Sequence, residues 1–98
     1  MSGAGNRPGP VGEQANKSGR LPEVVLYGRP GCHLCDDARE ILERVRAELP
    51  FALSERDIER DDALLKAYLE RIPVVTVDGE EVFEFFVDAD ELRRRLAG

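Results

Sequence analysis

From residue 23 onward the chain alternates short apolar runs with amphipathic stretches, and the spacing of the apolar positions assigns the elements. Val24, Val25, Leu26 and Tyr27 form a run closed by Gly28, Pro30 and Gly31, the pattern of a buried strand that ends in a loop. Leu34, Ala38, Ile41, Leu42, Val45 and Leu49 follow at intervals of three and four, which predicts one helix with a single apolar stripe, stopped before Pro50. Phe51, Leu53 and Ile58 predict a second strand that runs out among the charges at 55–57. Asp61 and Asp62 open a second helix carrying Leu64, Leu65, Tyr68 and Leu69, since acidic side chains suit the positive end of a helix. Pro73 interrupts, and Val74, Val75, Thr76 and Val77 make a third strand. Asp78-Gly79 is a two-residue hairpin signal, because both positions tolerate positive φ, and the returning strand is expected over Val82 to Phe86. Asp88 and Glu91 form an Asp-x-x-Glu cap ahead of a last helix from Ala89 to Leu96. The order is βαβαββα, an α/β arrangement.

Residues 1–20 break the pattern. Gly, Pro, Ser and Asn fill 11 of these 20 positions, and apart from Met1 the only large aliphatic residue is Val11. Such a segment cannot bury enough surface to offset its ordering entropy, so it is expected to be a disordered tail ahead of a domain spanning 21–98. The chain carries a net charge of −6, and because residues 1–20 net +2, the domain itself nets −8. An acidic body repels phosphate backbones, which argues against nucleic acid as a partner. No apolar run approaches the roughly 20 residues needed to cross a bilayer, and the N-terminus lacks the apolar core of a signal peptide. The expectation is a cytoplasmic monomer without a membrane partner.

The only cysteines are Cys32 and Cys35. A bond between them closes too short a loop to staple the fold, so chemistry or metal binding is the stronger reading. They fall where a strand and loop meet a helix start, where unpaired N–H groups and the helix dipole stabilise a thiolate. Cys35 lies on the stripe with Ala38, Leu42, Val45 and Leu49 and should point inward; Cys32 precedes the stripe and should face solvent. An exposed thiolate that attacks a disulfide, followed by a sheltered thiol that resolves the mixed disulfide, fits this spacing. A buried, inert pair is the plain structural alternative. A zinc site would have only Cys32, His33 and Cys35, with adjacent Cys32 and His33 poorly disposed for a tetrahedron and no second cluster to complete it.

Tyr27-Gly28-Arg29-Pro30-Gly31-Cys32-His33-Leu34-Cys35 resembles the active-site segment of glutaredoxins. Ile72-Pro73-Val74-Val75 resembles the segment that carries their cis-proline, and Val87-Asp88 through Leu92 resembles the start of their last helix. The resemblance spans residues 23–97 and implies a thioredoxin-like fold with a mixed four-stranded sheet flanked by helices. It implies dithiol–disulfide exchange with Cys32 as nucleophile and Cys35 as resolving thiol. Substrate would be bound by Arg29, His33 and Leu34 around the nucleophile, and by Ile72 and a cis Pro73 whose edge can accept an added peptide strand. It further implies no resident cofactor or metal, with glutathione as candidate co-substrate.

Two departures alter that picture. His33 stands directly after the first cysteine, where glutaredoxins usually have proline; a protonated imidazole there favours the thiolate, whereas Asp36 opposes it. Phe85-Phe86 stands where glutaredoxins place a Gly-Gly pair that lets glutathione approach the backbone. Strand alternation would send one ring to each face of the sheet, one into the core and the other over the opposite face or near the groove. These residues predict weak use of glutathione. The expected partners are a disulfide-bearing protein or a small-molecule thiol, with electrons from a thioredoxin reductase-type system. Two further classes fit the same residues: a redox-sensing or binding module that uses the Pro73 groove, and a metal or cluster carrier.

Overall fold

The computed structural model describes residues 21–97, so the tail expected over 1–20 lies outside the described residues. The elements are β1 (Glu23–Gly28), α1 (His33–Glu48), β2 (Ala52–Asp57), a 3-10 turn (Ile58–Arg60), α2 (Asp62–Tyr68), β3 (Val74–Val77), β4 (Glu80–Glu84) and α3 (Ala89–Ala97). The four strands form one mixed sheet in the order β2-β1-β3-β4. β1 pairs with β2 in parallel and with β3 antiparallel, and β3 pairs antiparallel with β4.

Strand alternation divides the sheet into two faces. Val24, Leu26 and Val75 point to one of them, where Ala38, Leu42 and Val45 of α1 and Leu92 of α3 complete a core with Phe51 and Val87. The predicted stripe of α1 is therefore the face that packs. Tyr27 points to the other face and meets Tyr68 of α2 with ring centroids 4.9 Å apart. Arg71 lies over the Tyr68 ring at 5.2 Å and bonds to Glu81 and Glu84 of β4. Burial, and then the hydrogen bond from its hydroxyl to Glu81, raise the pKa of Tyr68.

The Asp78-Gly79 hairpin forms as predicted, with φ of 50° and 87°. Asp88 caps α3, its Oδ1 accepting the N–H groups of Asp90 at 2.9 Å and Glu91 at 3.2 Å, while the Glu91 carboxylate turns to Arg94 and Arg95. The returning strand differs from expectation: it begins at Glu80 and ends at Glu84, so Phe85 and Phe86 lie outside it. Alternation does not govern them. The Phe85 N–H donates to the Pro73 carbonyl at 2.8 Å, and the Phe86 N–H donates to the Glu84 carbonyl at 2.6 Å. That second bond closes a tight γ-turn around Phe85, whose φ is 67°. Both rings are left at the surface, 40% and 70% exposed, and neither belongs to the core.

Candidate active site

The loop after β1 turns through Gly31, at φ 76°, and delivers Cys32 in extended conformation as the N-cap of α1. The Cys32 sulfur accepts the Cys35 N–H at 3.1 Å, and the Cys32 carbonyl accepts the Asp36 N–H at 3.1 Å. Cys32 and Cys35 are joined as a disulfide, with Cα atoms 5.2 Å apart. Cys32 is half-buried and Cys35 is 1% exposed. Cys35 thus faces inward, as the stripe predicts, and Cys32 lies nearer the surface at the helix tip. An N–H aimed at sulfur at the positive end of a 16-residue helix favours a thiolate at Cys32.

Gly28 at the end of β1 is the floor beneath this pair. A Cβ at Gly28 would sit 2.7 Å from the Cys35 sulfur, closer than nonbonded atoms approach, and a tight 3.2 Å from its Cβ. Gly28→Ala is expected to destabilise the protein by about 1–3 kcal/mol, the usual cost of overpacking, as read from urea unfolding of the oxidised protein. An unchanged midpoint would mean that α1 can move away from the sheet at no cost.

A cleft of about 250 Å³ opens beside the disulfide, between the first turns of α1 and the carboxyl ends of β1 and β2. Leu26, Gly28 and Cys35 form its inner wall. Arg39 spans it, bonded to Glu55 at 2.6 Å and Asp36 at 2.8 Å, and these two carboxylates raise the pKa of its guanidinium, the Glu55 hydrogen bond most. The Asp36 charge, expected to oppose the Cys32 thiolate, is therefore partly offset by Arg39. Arg29 also lines the cleft, and its guanidinium is 3.8 Å from Glu59 on the 3-10 turn. His33 is exposed and Leu34 half-buried in the first turn of α1.

The Ile72–Pro73 peptide bond is cis, as the resemblance implies. Tyr27 pairs with Val74, so the next step of the antiparallel register sets Pro73 opposite Gly28, whose other side adjoins Cys35. The fold thus brings Ile72 and Pro73 to the same end of the sheet as the cysteines, and the Phe85 N–H bond to Pro73 ties the phenylalanine pair to that end as well. Sequence reasoning missed the cleft and its carboxylates Glu55 and Asp57. Their alternation with Leu53 is visible in the sequence, but the strand register that turns them toward α1 is not. Among the described residues no group of three or more His, Cys, Asp or Glu side chains is placed to hold a metal ion, and no helix is long and apolar enough to cross a membrane.

Residues 23–97 match the glutaredoxin-like domain family (DUF836), and the chain belongs to that family within the thioredoxin superfamily. A solved structure from X. campestris is 39% identical, with a TM-score of 0.64 over 76% of this chain and 95% of that one. An uncharacterized protein of Mycobacterium tuberculosis is 32% identical over 81 residues, 78% of this chain and 84% of its own. The likeness to a thioredoxin from Halobacterium salinarum, at 22% identity and a TM-score of 0.59 over 82% of this chain and 75% of that one, is one of fold. A thioredoxin-like fold carrying a Cys32–Cys35 pair fits thiol–disulfide oxidoreductases in general.

Proposed function

We propose that the protein is a cytoplasmic dithiol–disulfide oxidoreductase that acts on polypeptide disulfides. The Cys32 thiolate attacks a substrate disulfide, one substrate sulfur leaves as a thiolate, and the other stays on Cys32 as a mixed disulfide. The Cys35 sulfur then attacks Cys32, releases the second substrate thiolate and leaves the Cys32–Cys35 disulfide. A dithiol donor of the thioredoxin reductase type returns the pair to the reduced state. The observation that carries this reading is the Cys35 N–H held 3.1 Å from the Cys32 sulfur at the start of α1, with Cys35 itself buried behind it. An accessible, stabilised thiolate and a sheltered partner one turn on are what a two-step exchange requires.

Arg29, His33 and Leu34 would meet the substrate around the nucleophile, and the Ile72–Pro73 edge would offer backbone to an extended peptide. The test is multiple-turnover reduction of insulin with an excess of a small dithiol as electron source. Catalysis beyond one equivalent of disulfide per protein is the expected result. A single oxidation with no turnover would instead identify a redox sensor.

A further inference from the structure

β4 carries two carboxylates that a regular strand would keep apart. Glu81 and Glu84 are three residues apart, and side chains at that spacing on a regular strand point to opposite faces. Here Thr76 stands opposite Glu81, Val75 opposite Phe83 and Val74 opposite Glu84, so Val82 is an extra residue without a partner. Paired residues send their side chains to the same face. Val74 also pairs with Tyr27, and both glutamates therefore emerge on the face of Tyr27 and Tyr68, away from the core.

Arg71 closes over both. Its Nε donates to Glu84 at 2.7 Å, and its Nη2 reaches Glu84 at 2.6 Å and Glu81 as well. The guanidinium lies over the Tyr68 ring, whose hydroxyl donates to Glu81 at 3.2 Å. The Arg71 N–H donates to the Tyr68 carbonyl at 2.8 Å, which fixes the backbone at the end of α2. The hydrogen bond from Arg71 is the main reason that the Glu81 carboxyl titrates below its ordinary value.

Arg71 is the residue before Ile72, and Glu84 is the residue before Phe85. The Phe85 N–H bond to the Pro73 carbonyl joins the same two segments through their backbones. Residues 71–73 are thus tied to the end of β4 twice, once on each side of Ile72. Between the two ties, the N–H and carbonyl of Ile72 carry no hydrogen bond among the described residues. They are the groups that an added strand would take.

We propose that Arg71 is a positioning residue for polypeptide binding: its grip on Glu81 and Glu84, which the bulge at Val82 makes possible, presets the Ile72 backbone for an extended substrate. Arg71 acts through the edge and not on the sulfurs. A preset edge spares the substrate the cost of ordering it, which lowers KM and leaves the chemistry at Cys32 unchanged. This assignment rests on the oxidoreductase reading.

The experiment uses the full, reduced chain and three measurements: steady-state reduction of a peptide disulfide, alkylation of Cys32 by iodoacetamide, and amide exchange at Phe85 by NMR. Arg71→Gln is expected to raise KM about tenfold at unchanged kcat, the worth of roughly one net hydrogen bond. Alkylation should proceed at the unaltered rate, and the Phe85 amide should exchange about tenfold faster as its segment loosens. Glu81→Ala/Glu84→Ala, which keeps Arg71 and removes its acceptors, is expected to show the same three results. Adding Arg71→Gln to that pair should change nothing further, because one interaction is lost only once. A guanidinium that touched the peptide itself would raise KM in Arg71→Gln and not in the glutamate pair, which overturns the assignment. Unchanged exchange at Phe85 in Arg71→Gln overturns it too, and so does a slower alkylation, which would place the effect at Cys32. If one variant fails to fold, the other carries the same comparison. If the unaltered protein does not reduce the peptide, the oxidoreductase reading falls, and exchange at Phe85 still decides whether Arg71 sets the edge.

Discussion

Cys32→Ser is expected to abolish disulfide reduction, whereas Cys35→Ser is expected to stop the reaction at a stable mixed disulfide through Cys32. The asymmetry follows from burial and from the helix start. Cys32 is the N-cap, reachable from solvent, with the Cys35 N–H aimed at its sulfur. Cys35 is 1% exposed and faces the sheet at Gly28, so a substrate disulfide cannot reach it in line. A serine at 32 leaves a hydroxyl that does not ionise near neutral pH and cannot serve as nucleophile. A serine at 35 leaves the first step intact and removes the second. Limited alkylation of the reduced protein, followed by mass mapping, should label Cys32 before Cys35. Incubation of Cys35→Ser with a peptide disulfide should give one adduct, and its mass should map to Cys32. Preferential labelling of Cys35, or turnover by Cys32→Ser, would reverse the roles.

Which parts of this site could be read from the chain depends on how local their causes are. The stripe Ala38, Leu42, Val45 is a helical period, and it settles which cysteine points inward without any tertiary information. The Asp78-Gly79 turn is likewise decided by two residues that accept positive φ. The end of β4 has no such local cause. Val82 to Phe86 are mostly strand formers, and the strand stops at Glu84 because Phe85 turns to φ 67° and its partner in the register, Pro73, twelve positions back in the chain, has no N–H to return the bond. The pairing also slips at this point, with Val75 opposite Phe83 but Thr76 opposite Glu81, so Val82 is the extra residue of a bulge. The cleft is invisible for the same reason. Leu53, Glu55 and Asp57 alternate plainly, but only the parallel register of β1 on β2 turns the two carboxylates toward α1. The Arg29–Glu59 approach joins two loops 30 residues apart and left no mark in the sequence pattern.

Turnover with glutathione as reductant is expected to be at least roughly tenfold slower than with a thioredoxin reductase-type donor or a peptide dithiol, a difference of about 1.4 kcal/mol in the barrier. A γ-glutamyl carboxylate needs free backbone N–H groups near the start of the last helix. Here four donors of that corner are used internally. The Asp90 and Glu91 N–H groups go to Asp88, the Phe85 N–H goes to Pro73, and the Phe86 N–H goes to Glu84. Glu84 and Asp90 are paired with Arg71 and Arg93, and the Asp88 carboxylate, which caps α3, adds negative charge where an anionic tripeptide would place its own. The phenylalanine rings are 40% and 70% exposed, and the Phe85 N–H bond to the Pro73 carbonyl holds this pair at the Pro73 end of the sheet, so they are expected to crowd glutathione and to offer an apolar contact to a polypeptide bound there. Phe85 sits at φ 67°, a conformation that costs a bulky residue about 1–2 kcal/mol and glycine nothing. Because neither ring is part of the core, Phe85→Gly/Phe86→Gly should fold with little loss of stability, contrary to what a buried ring in a strand would require. In that variant glutathione turnover should rise and turnover of a peptide disulfide should fall. Steady-state kinetics of both proteins with each reductant provide the comparison. Equal rates with glutathione and the dithiol donor in the unaltered protein would remove the proposed preference and return the site to ordinary glutaredoxin behaviour.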